Sequence, residues 1–130
     1  MKIGGVDLKN KIKIPAWVAL EADVLICNKI NNTEKVLYAF ISALSNNSDK
    51  QCFATNKYFS IVLGIGEREV QYCLSKLKKL NLIRIELKEN SKRTITTTVN
   101  AFLEYRKEKT EELKEINNEI LEYDWLNEEI

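Results

Sequence analysis

The spacing of apolar residues predicts three helices in the first two thirds of the chain. In NNTEKVLYAFISALSNN, the first of them, Asn32 or Thr33 can cap the opening turn, and the asparagine pair at 46–47 ends the helix. Its apolar face follows the helical spacing i, i+3, i+4, i+7, at Leu37, Phe40, Ile41 and Leu44. This segment is therefore expected to pack one face into a core.

Two further helices follow in close succession. TNKYFSIVLG has Thr55 as a candidate N-cap and Gly64 as a left-handed terminator. The next helix is predicted over 66–80 and ends at Asn81. Its buried stripe is expected to be Val70, Cys73, Leu74 and Leu77. At about 100° per residue, the opposite face carries Arg68, Tyr72, Ser75 and Lys79.

The apolar period then changes from that of a helix to that of a strand. In LIRIEL, Ile83, Ile85 and Leu87 share one face. KENSKR (88–93) is a polar turn and TITTTV (94–99) is a second β-prone run, so a hairpin with a basic tip is predicted. Shorter signals are an extended KIKIP at 11–15, a short helix within 16–30 and a strand-like QCFA at 51–54.

The order of these elements is that of a winged helix-turn-helix. The predicted fold class is mainly α with a small β-hairpin wing, followed by a C-terminal helix. Two helices joined by a tight turn pack steeply over a shared core. The second helix is then free to present its outward face to the major groove of DNA, and the tip of the hairpin can reach phosphates.

Composition narrows the possible chemistry. The chain has no histidine, and its three cysteines form no CxxC pair, so neither a metal site nor a cofactor is expected. Without a histidine base, a nucleophile–base pair or a phosphate-binding glycine loop, an enzyme is not expected. No apolar run is long enough to span a bilayer, and the N-terminus lacks the apolar centre of a secretory signal, which favours a cytoplasmic protein without membrane contact.

Charge divides the chain into two parts. Residues 1–100 contain 16 Lys/Arg and 9 Asp/Glu, whereas residues 101–130 contain 4 and 10. We therefore predict a DNA-binding domain with an N-terminal extension at 1–100 and an acidic C-terminal helix or tail at 101–130. A basic body suits a polyanionic partner such as double-stranded DNA.

The segments KIPAWVALEAD, TEKVLYAFISALSNN and CFATNKYFSIVLGIGEREVQYCLSKLKKLNLIRIE resemble the N-terminal winged-helix domain of phage and plasmid replication proteins. This group includes replisome organisers and replication initiators of Gram-positive bacteria. The resemblance covers about residues 11–99. It implies duplex DNA binding, often by a dimer, in replication initiation or its control.

The resemblance also implies a set of DNA-binding residues. Thr55, Asn56 and Lys57 would lie beside phosphates at the start of the supporting helix. The recognition helix would contribute Arg68, Gln71, Tyr72, Ser75, Lys76 and, on the same outward face, Lys79. Lys88, Lys92 and Arg93 would form the wing. The chain departs from the family at Gly66 and Glu69, where the family usually has Ser or Thr.

The outward face and the wing have a second interpretation, as solvated surfaces without a ligand. Glu69 is repelled by phosphates, but it can accept from a cytosine amino group or lie against Lys76. A second class of function is a protein-interaction module, or a transcriptional regulator, whose acidic tail engages a protein partner.

The acidic tail is predicted to form a contact surface of its own. Six residues of a coiled-coil-like seam and its apolar end are candidates for an oligomer or partner surface: Leu113, Ile116, Ile120, Tyr123, Trp125 and Leu126. A homodimer through this seam is favoured over an autoinhibitory tail that competes with DNA for the basic body. The tail can also pack on the body or dock on a protein partner.

Overall fold

A computed structural model describes residues 14–46, 50–89 and 92–116. Seven elements occur in these ranges: α1 (Ala22–Leu25), α2 (Asn32–Leu44), α3 (Asn56–Leu63), α4 (Glu67–Lys79), β1 (Ile83–Leu87), β2 (Arg93–Thr97) and α5 (Leu103–Ile116). The strands form a two-stranded antiparallel sheet. The predicted winged helix-turn-helix with a C-terminal helix is confirmed.

α2 begins one or two residues earlier than the sequence predicted. Its N-cap is Asn31, not Asn32 or Thr33. The Asn31 side chain accepts from the backbone N–H of Glu34 at 2.8 Å, and the Glu34 carboxylate accepts from the N–H of Asn31 at 2.8 Å. This reciprocal capping box satisfies two N–H groups that the helix cannot pair internally, and the pattern N-x-x-E points to it.

The tight turn between α3 and α4 forms as predicted. Thr55 caps α3 by accepting from the N–H of Tyr58, and Gly64 ends the helix in the left-handed conformation, with a φ of 70°. The Ser60 hydroxyl donates to the Ile65 carbonyl at 2.5 Å, which ties the end of α3 to the turn. Gly66 then occupies the N-cap of α4 without a side-chain bond.

The wing starts its second strand one residue earlier than predicted, at Arg93. The register pairs Ile83 with Thr97 and Leu87 with Arg93. An isolated bridge joins Cys52 to Ile95, which accounts for the strand-like signal at 51–54. Because the sheet extends past the body, Leu87 is 76% exposed, although it shares the face of the buried Ile83.

The core lies between α2, α4 and the base of the wing. It is built around fully or almost fully buried side chains that include Leu37, Phe59, Leu77 and Ile95. Phe102 also belongs to it and packs edge-on against Tyr38 at 5.1 Å between ring centroids. The division at residue 100 stays a prediction, but the residues just beyond it contribute to this core.

The described chain begins without regular structure and then contributes Val24 of its first helix to the core. KIKIP lies partly outside the described residues, and Ile14 and Pro15 are not in a helix or strand. The short helix expected within 16–30 is α1. Among residues 14–46, 50–89 and 92–116, no helix is both long and apolar enough to cross a membrane.

Candidate nucleic-acid interface

The two faces of α4 differ as the sequence predicted. Val70, Cys73, Leu74 and Leu77 are buried, with at most 3% of each side chain exposed. The outward face is solvent-exposed along its length, at Arg68, Gln71, Tyr72, Ser75 and Lys79. Tyr72, at its centre, is 64% exposed. A large ring held on an open helical face offers both an apolar contact and a hydroxyl that donates or accepts.

Charges along α4 follow the helix dipole. Glu67 and Glu69 lie in the first turn, and Lys76, Lys78 and Lys79 lie in the last. This arrangement stabilises the helix, since carboxylates are favoured at its positive end and ammonium groups at its negative end. It also places negative charge where a helix N-terminus would otherwise attract a phosphate.

Lys76 lies on the flank of α4 that faces α2. Its Nζ is 3.8 Å from Oε1 of Glu34, whose side chain is 8% exposed. Glu34 is therefore a buried carboxylate with two roles, the capping of α2 and the ion pair with Lys76. No ion pair joins Glu69 to Lys76 among the described residues, so the predicted contact between them is absent there.

The start of α3 has the opposite electrostatic character. No acidic residue lies in its first turn, which contains the exposed Lys57. The Thr55 hydroxyl oxygen accepts from Tyr58 N–H at 3.1 Å, and the side chain remains exposed. Asn56 is half-buried. The positive end of this helix is thus open to an anion.

The tip of the wing brings two predicted lysines close together. The backbone N–H of Lys88 donates to the carbonyl of Lys92 at 2.6 Å. Both residues are exposed. This contact closes the turn, so the two side chains leave from neighbouring positions at the end of the hairpin.

Arg93, the third predicted wing residue, faces the body. Its guanidinium donates to Oδ1 of Asn56 at 2.6 Å and to the carbonyl of Ala54 at 2.6 Å. Burial lowers the pKa of the guanidinium. Arg93, which the sequence assigned to the wing, therefore contacts Asn56, which it assigned to the start of α3.

The cysteines behave as small apolar residues. All three are buried and free. Burial, with the carboxylates of Glu34 and Glu69, raises the pKa of the Cys73 thiol to about 11, and burial raises the pKa of Cys52. Within the described ranges, no three His, Cys, Asp or Glu side chains gather as metal ligands would.

α5 presents the described part of the predicted tail seam. Leu113 and Ile116 are about half exposed. Ile120, Tyr123, Trp125 and Leu126 lie outside the described residues. The sequence of α5 is nearly balanced, with four Lys/Arg and five Asp/Glu, whereas 117–130 has five acidic residues and no basic one.

The first turns of α5 are fixed to the body. Phe102 packs against Tyr38, and Arg106 forms an ion pair with Asp23 of α1. Farther along, the helix has ion pairs between its own side chains, Lys109 with Glu112 and Lys114 with Glu111. Because these exposed pairs are worth little, the distal half of α5 has few stabilising contacts.

Comparison with known proteins identifies the central motif. Residues 28–83 match a family model described as a helix-turn-helix domain. The match runs from just before α2 to the first residue of β1, so it covers α2, α3 and α4. A search of curated proteins found no match, and a search of solved structures found none. The chain thus contains a helix-turn-helix, which the hairpin completes as a winged form.

Sequence reasoning missed two contacts of this surface. One is the pair between Lys76 and Glu34, for which the buried position of Glu34 beside apolar Leu37 gives only a weak signal. The other is the contact of Arg93 with the start of α3. The alternation Arg93, Ile95, Thr97 puts Arg93 on the face of a core isoleucine, and this signal would have found its inward direction.

Proposed function

We propose that this protein binds duplex DNA sequence-specifically, with α4 in the major groove and with α3 and the wing at the phosphates. The observation that carries the proposal is the exposed face of α4, where Tyr72 stands among Arg68, Ser75 and Lys79. An arginine presents two donors that match the guanine O6 and N7 acceptors. Arg68 is in the first turn of α4, the part of a recognition helix that contacts base edges.

The phosphate contacts are proposed on both sides of this helix. Lys57 and Thr55 would contact one stretch of backbone from the start of α3, where the helix dipole adds to the lysine charge. Lys88 and Lys92 would contact another from the tip of the wing. Such contacts fix the register of the protein on the duplex, whereas the face of α4 supplies specificity.

Selection from a pool of randomised duplexes tests sequence-specific binding. The full chain should enrich one motif, and Arg68→Ala should lose preference at one position of that motif. Lys78→Ala is the matched control, because Lys78 is exposed on the same helix but lies on its flank. A pool that stays random with the wild-type chain would contradict the proposal.

We further propose a role in replication initiation, or in its control, for a phage, plasmid or mobile element. The resemblance of residues 11–99 to replication proteins supports this role. DNA crosslinked to the protein in cells should concentrate at a replication origin. Concentration at promoters remote from an origin would indicate a transcriptional regulator instead.

Dimer formation through the C-terminal helix is part of the proposal. The half-exposed Leu113 and Ile116 support it, since they repeat on one side of the distal half of α5, where stabilising contacts are few. Replacing both by Glu should convert the dimer to a monomer in sedimentation and weaken binding to a two-fold site. Truncation at Asn100 is a poorer test, because it also removes Phe102 from the core. A wild-type chain that sediments as a monomer would contradict the dimer.

A protein-interaction module is the second candidate. The exposed carboxylates of Glu67 and Glu69 favour it, because they lie at the end of α4 that would enter the groove. Under this alternative the outward face contacts a protein, and affinity for duplex DNA is weak at every sequence. The selection from randomised duplexes separates the two candidate functions, because only sequence-specific DNA binding enriches a motif.

A further inference from the structure

Arg93 joins the wing to the start of α3 by two hydrogen bonds. One terminal nitrogen of the guanidinium donates to the Asn56 side chain and the other terminal nitrogen to the Ala54 carbonyl, each at 2.6 Å. Asn56 is the first residue of α3 and Ala54 lies just before its cap. The two acceptors are therefore on the segment that presents Thr55 and Lys57.

The register of the hairpin explains why Arg93 points toward α3. Arg93 pairs with Leu87 and lies two residues before Ile95, so it shares the core-facing side of the sheet. Ile95 is fully buried, and its backbone exchanges two hydrogen bonds of 2.8 Å with Cys52. The arginine adds a second connection beside this bridge, closer to the wing tip.

The chemistry of the contact suits a structural link between the wing and α3 better than it suits a phosphate ligand. A guanidinium is planar and directs its donors in a fixed fork, so two acceptors on a neighbouring segment define its orientation. Both acceptors are neutral oxygens, and Arg93 is half-buried. A phosphate contact would require the side chain to leave both of them.

We propose that Arg93 is a positioning residue that holds the wing against the start of α3, so that Lys88 and Lys92 contact phosphates in a fixed relation to Lys57. This inference rests on the proposed DNA binding. It replaces the role of a direct phosphate contact that the sequence suggested for Arg93.

A variant series on duplex DNA tests the proposal. At about 0.15 M salt, losing Lys88 and Lys92 together should weaken binding about 30-fold, since each phosphate contact contributes about 0.9 to the log–log salt slope. In an Arg93→Lys background, replacing these two lysines by Ala should lower the affinity for duplex DNA about threefold or less, because the wing is no longer held at the phosphates. A full 30-fold cost in both backgrounds would overturn the proposal.

The conservative variant separates positioning from ligation. Arg93→Lys keeps the charge but loses the two-point fork. It should therefore weaken binding nearly as much as Arg93→Ala. If Arg93→Lys binds like the wild type, whereas Arg93→Ala lowers the salt slope by about one unit, Arg93 is a phosphate ligand and the proposal fails.

Hydrogen exchange without DNA gives a readout that is independent of binding. Arg93→Lys should speed exchange of the Cys52 and Ile95 amides about tenfold, since roughly the net contribution of one hydrogen bond is lost. Amides inside α4 should exchange as in the wild type, which verifies that the variant is folded. Unchanged exchange at Cys52 and Ile95 would contradict the proposal that Arg93 holds the wing against α3. If the wild type does not bind DNA but this exchange effect is present, the proposed function alone is contradicted.

Discussion

The N-termini of α3 and α4 belong to adjacent helices of one motif but have opposite electrostatics. α3 begins with a threonine cap, an exposed lysine and no carboxylate in its first turn. α4 begins with a glycine N-cap that supplies no side-chain bond, followed by Glu67 and Glu69. Since a helix N-terminus attracts anions, the first is suited to a phosphate and the second has part of its positive end already neutralised.

Under the proposed function, this difference gives the two helices separate tasks. α3 and the wing are suited to hold the DNA backbone, which gives affinity without sequence information. α4 has carboxylates at its start and Arg68, Tyr72 and Ser75 on its outward face, and this mixture of donors and acceptors suits base edges. As the proposed recognition helix, α4 would repel phosphate at its tip and depend on its neighbours for affinity.

Arg68→Ala is expected to have the largest effect on recognition. If the guanidinium reads a base edge, its loss should weaken specific binding by about 1–3 kcal/mol and leave affinity for random duplexes much less changed. Titration of the selected site against a random duplex measures both. Wild-type-like discrimination between the two duplexes would exclude Arg68 from the readout.

Lys57→Ala should change binding at the α3 side without changing specificity. The affinity for all duplexes should fall alike, by about fivefold at 0.15 M salt, and the log–log salt slope should fall by about one unit. Lys107→Ala, which removes an exposed lysine from α5, is the matched control. Equal effects of the two variants would mean that overall charge, and not the start of α3, attracts the DNA.

Substitutions at the N-caps of α3 and α4 should change the stability of the protein in opposite directions. Thr55→Ala removes the acceptor of the Tyr58 N–H and should lower the free energy of unfolding by about 1 kcal/mol. Gly66→Ser should raise it by a few tenths of a kcal/mol, because the space around Gly66 is open and a hydroxyl can cap α4. Urea denaturation measures both, and a destabilised Gly66→Ser would show that this N-cap does not accept a side-chain bond.

Glu69→Gln is expected to have the smallest effect. Removing one exposed carboxylate near phosphates should strengthen binding to random duplexes about twofold at low salt, and screening should reduce the gain as salt rises. If Glu69 accepts from a cytosine amino group, the same variant should weaken binding to the selected site. An unchanged affinity for both duplexes would place Glu69 outside the interface.

The sequence predicted the fold well where local chemistry determines it. Apolar spacing located α2, α3 and α4, and Thr55 and Gly64 marked the ends of α3 because capping and left-handed turns depend on residue type. The alternation of residues 83–87 located β1. The cap of α2 lies one or two residues before the predicted one, because Asn31, Asn32 and Thr33 are all good caps and only the partner Glu34 selects Asn31.

The candidate site was less predictable because its contacts join distant parts of the chain. The α4 face follows from helical geometry alone. The links between Arg93 and Asn56 and between Lys76 and Glu34 depend on how the wing and α2 pack against the motif. Strand alternation puts Arg93 on the core-facing side, but its acceptors at the start of α3 and the Glu34 partner of Lys76 appear only in three dimensions.

The salt dependence of duplex binding tests the central claim most directly. The affinity of the full chain for a random duplex should be measured between about 50 and 200 mM salt, beside a variant with Lys57, Lys88 and Lys92 replaced by Ala. The wild type should bind with a log–log slope of about −3 or steeper, and the variant should lose roughly three units of that slope. A wild-type chain that does not bind duplex DNA, or a slope that the three substitutions leave unchanged, would contradict the account.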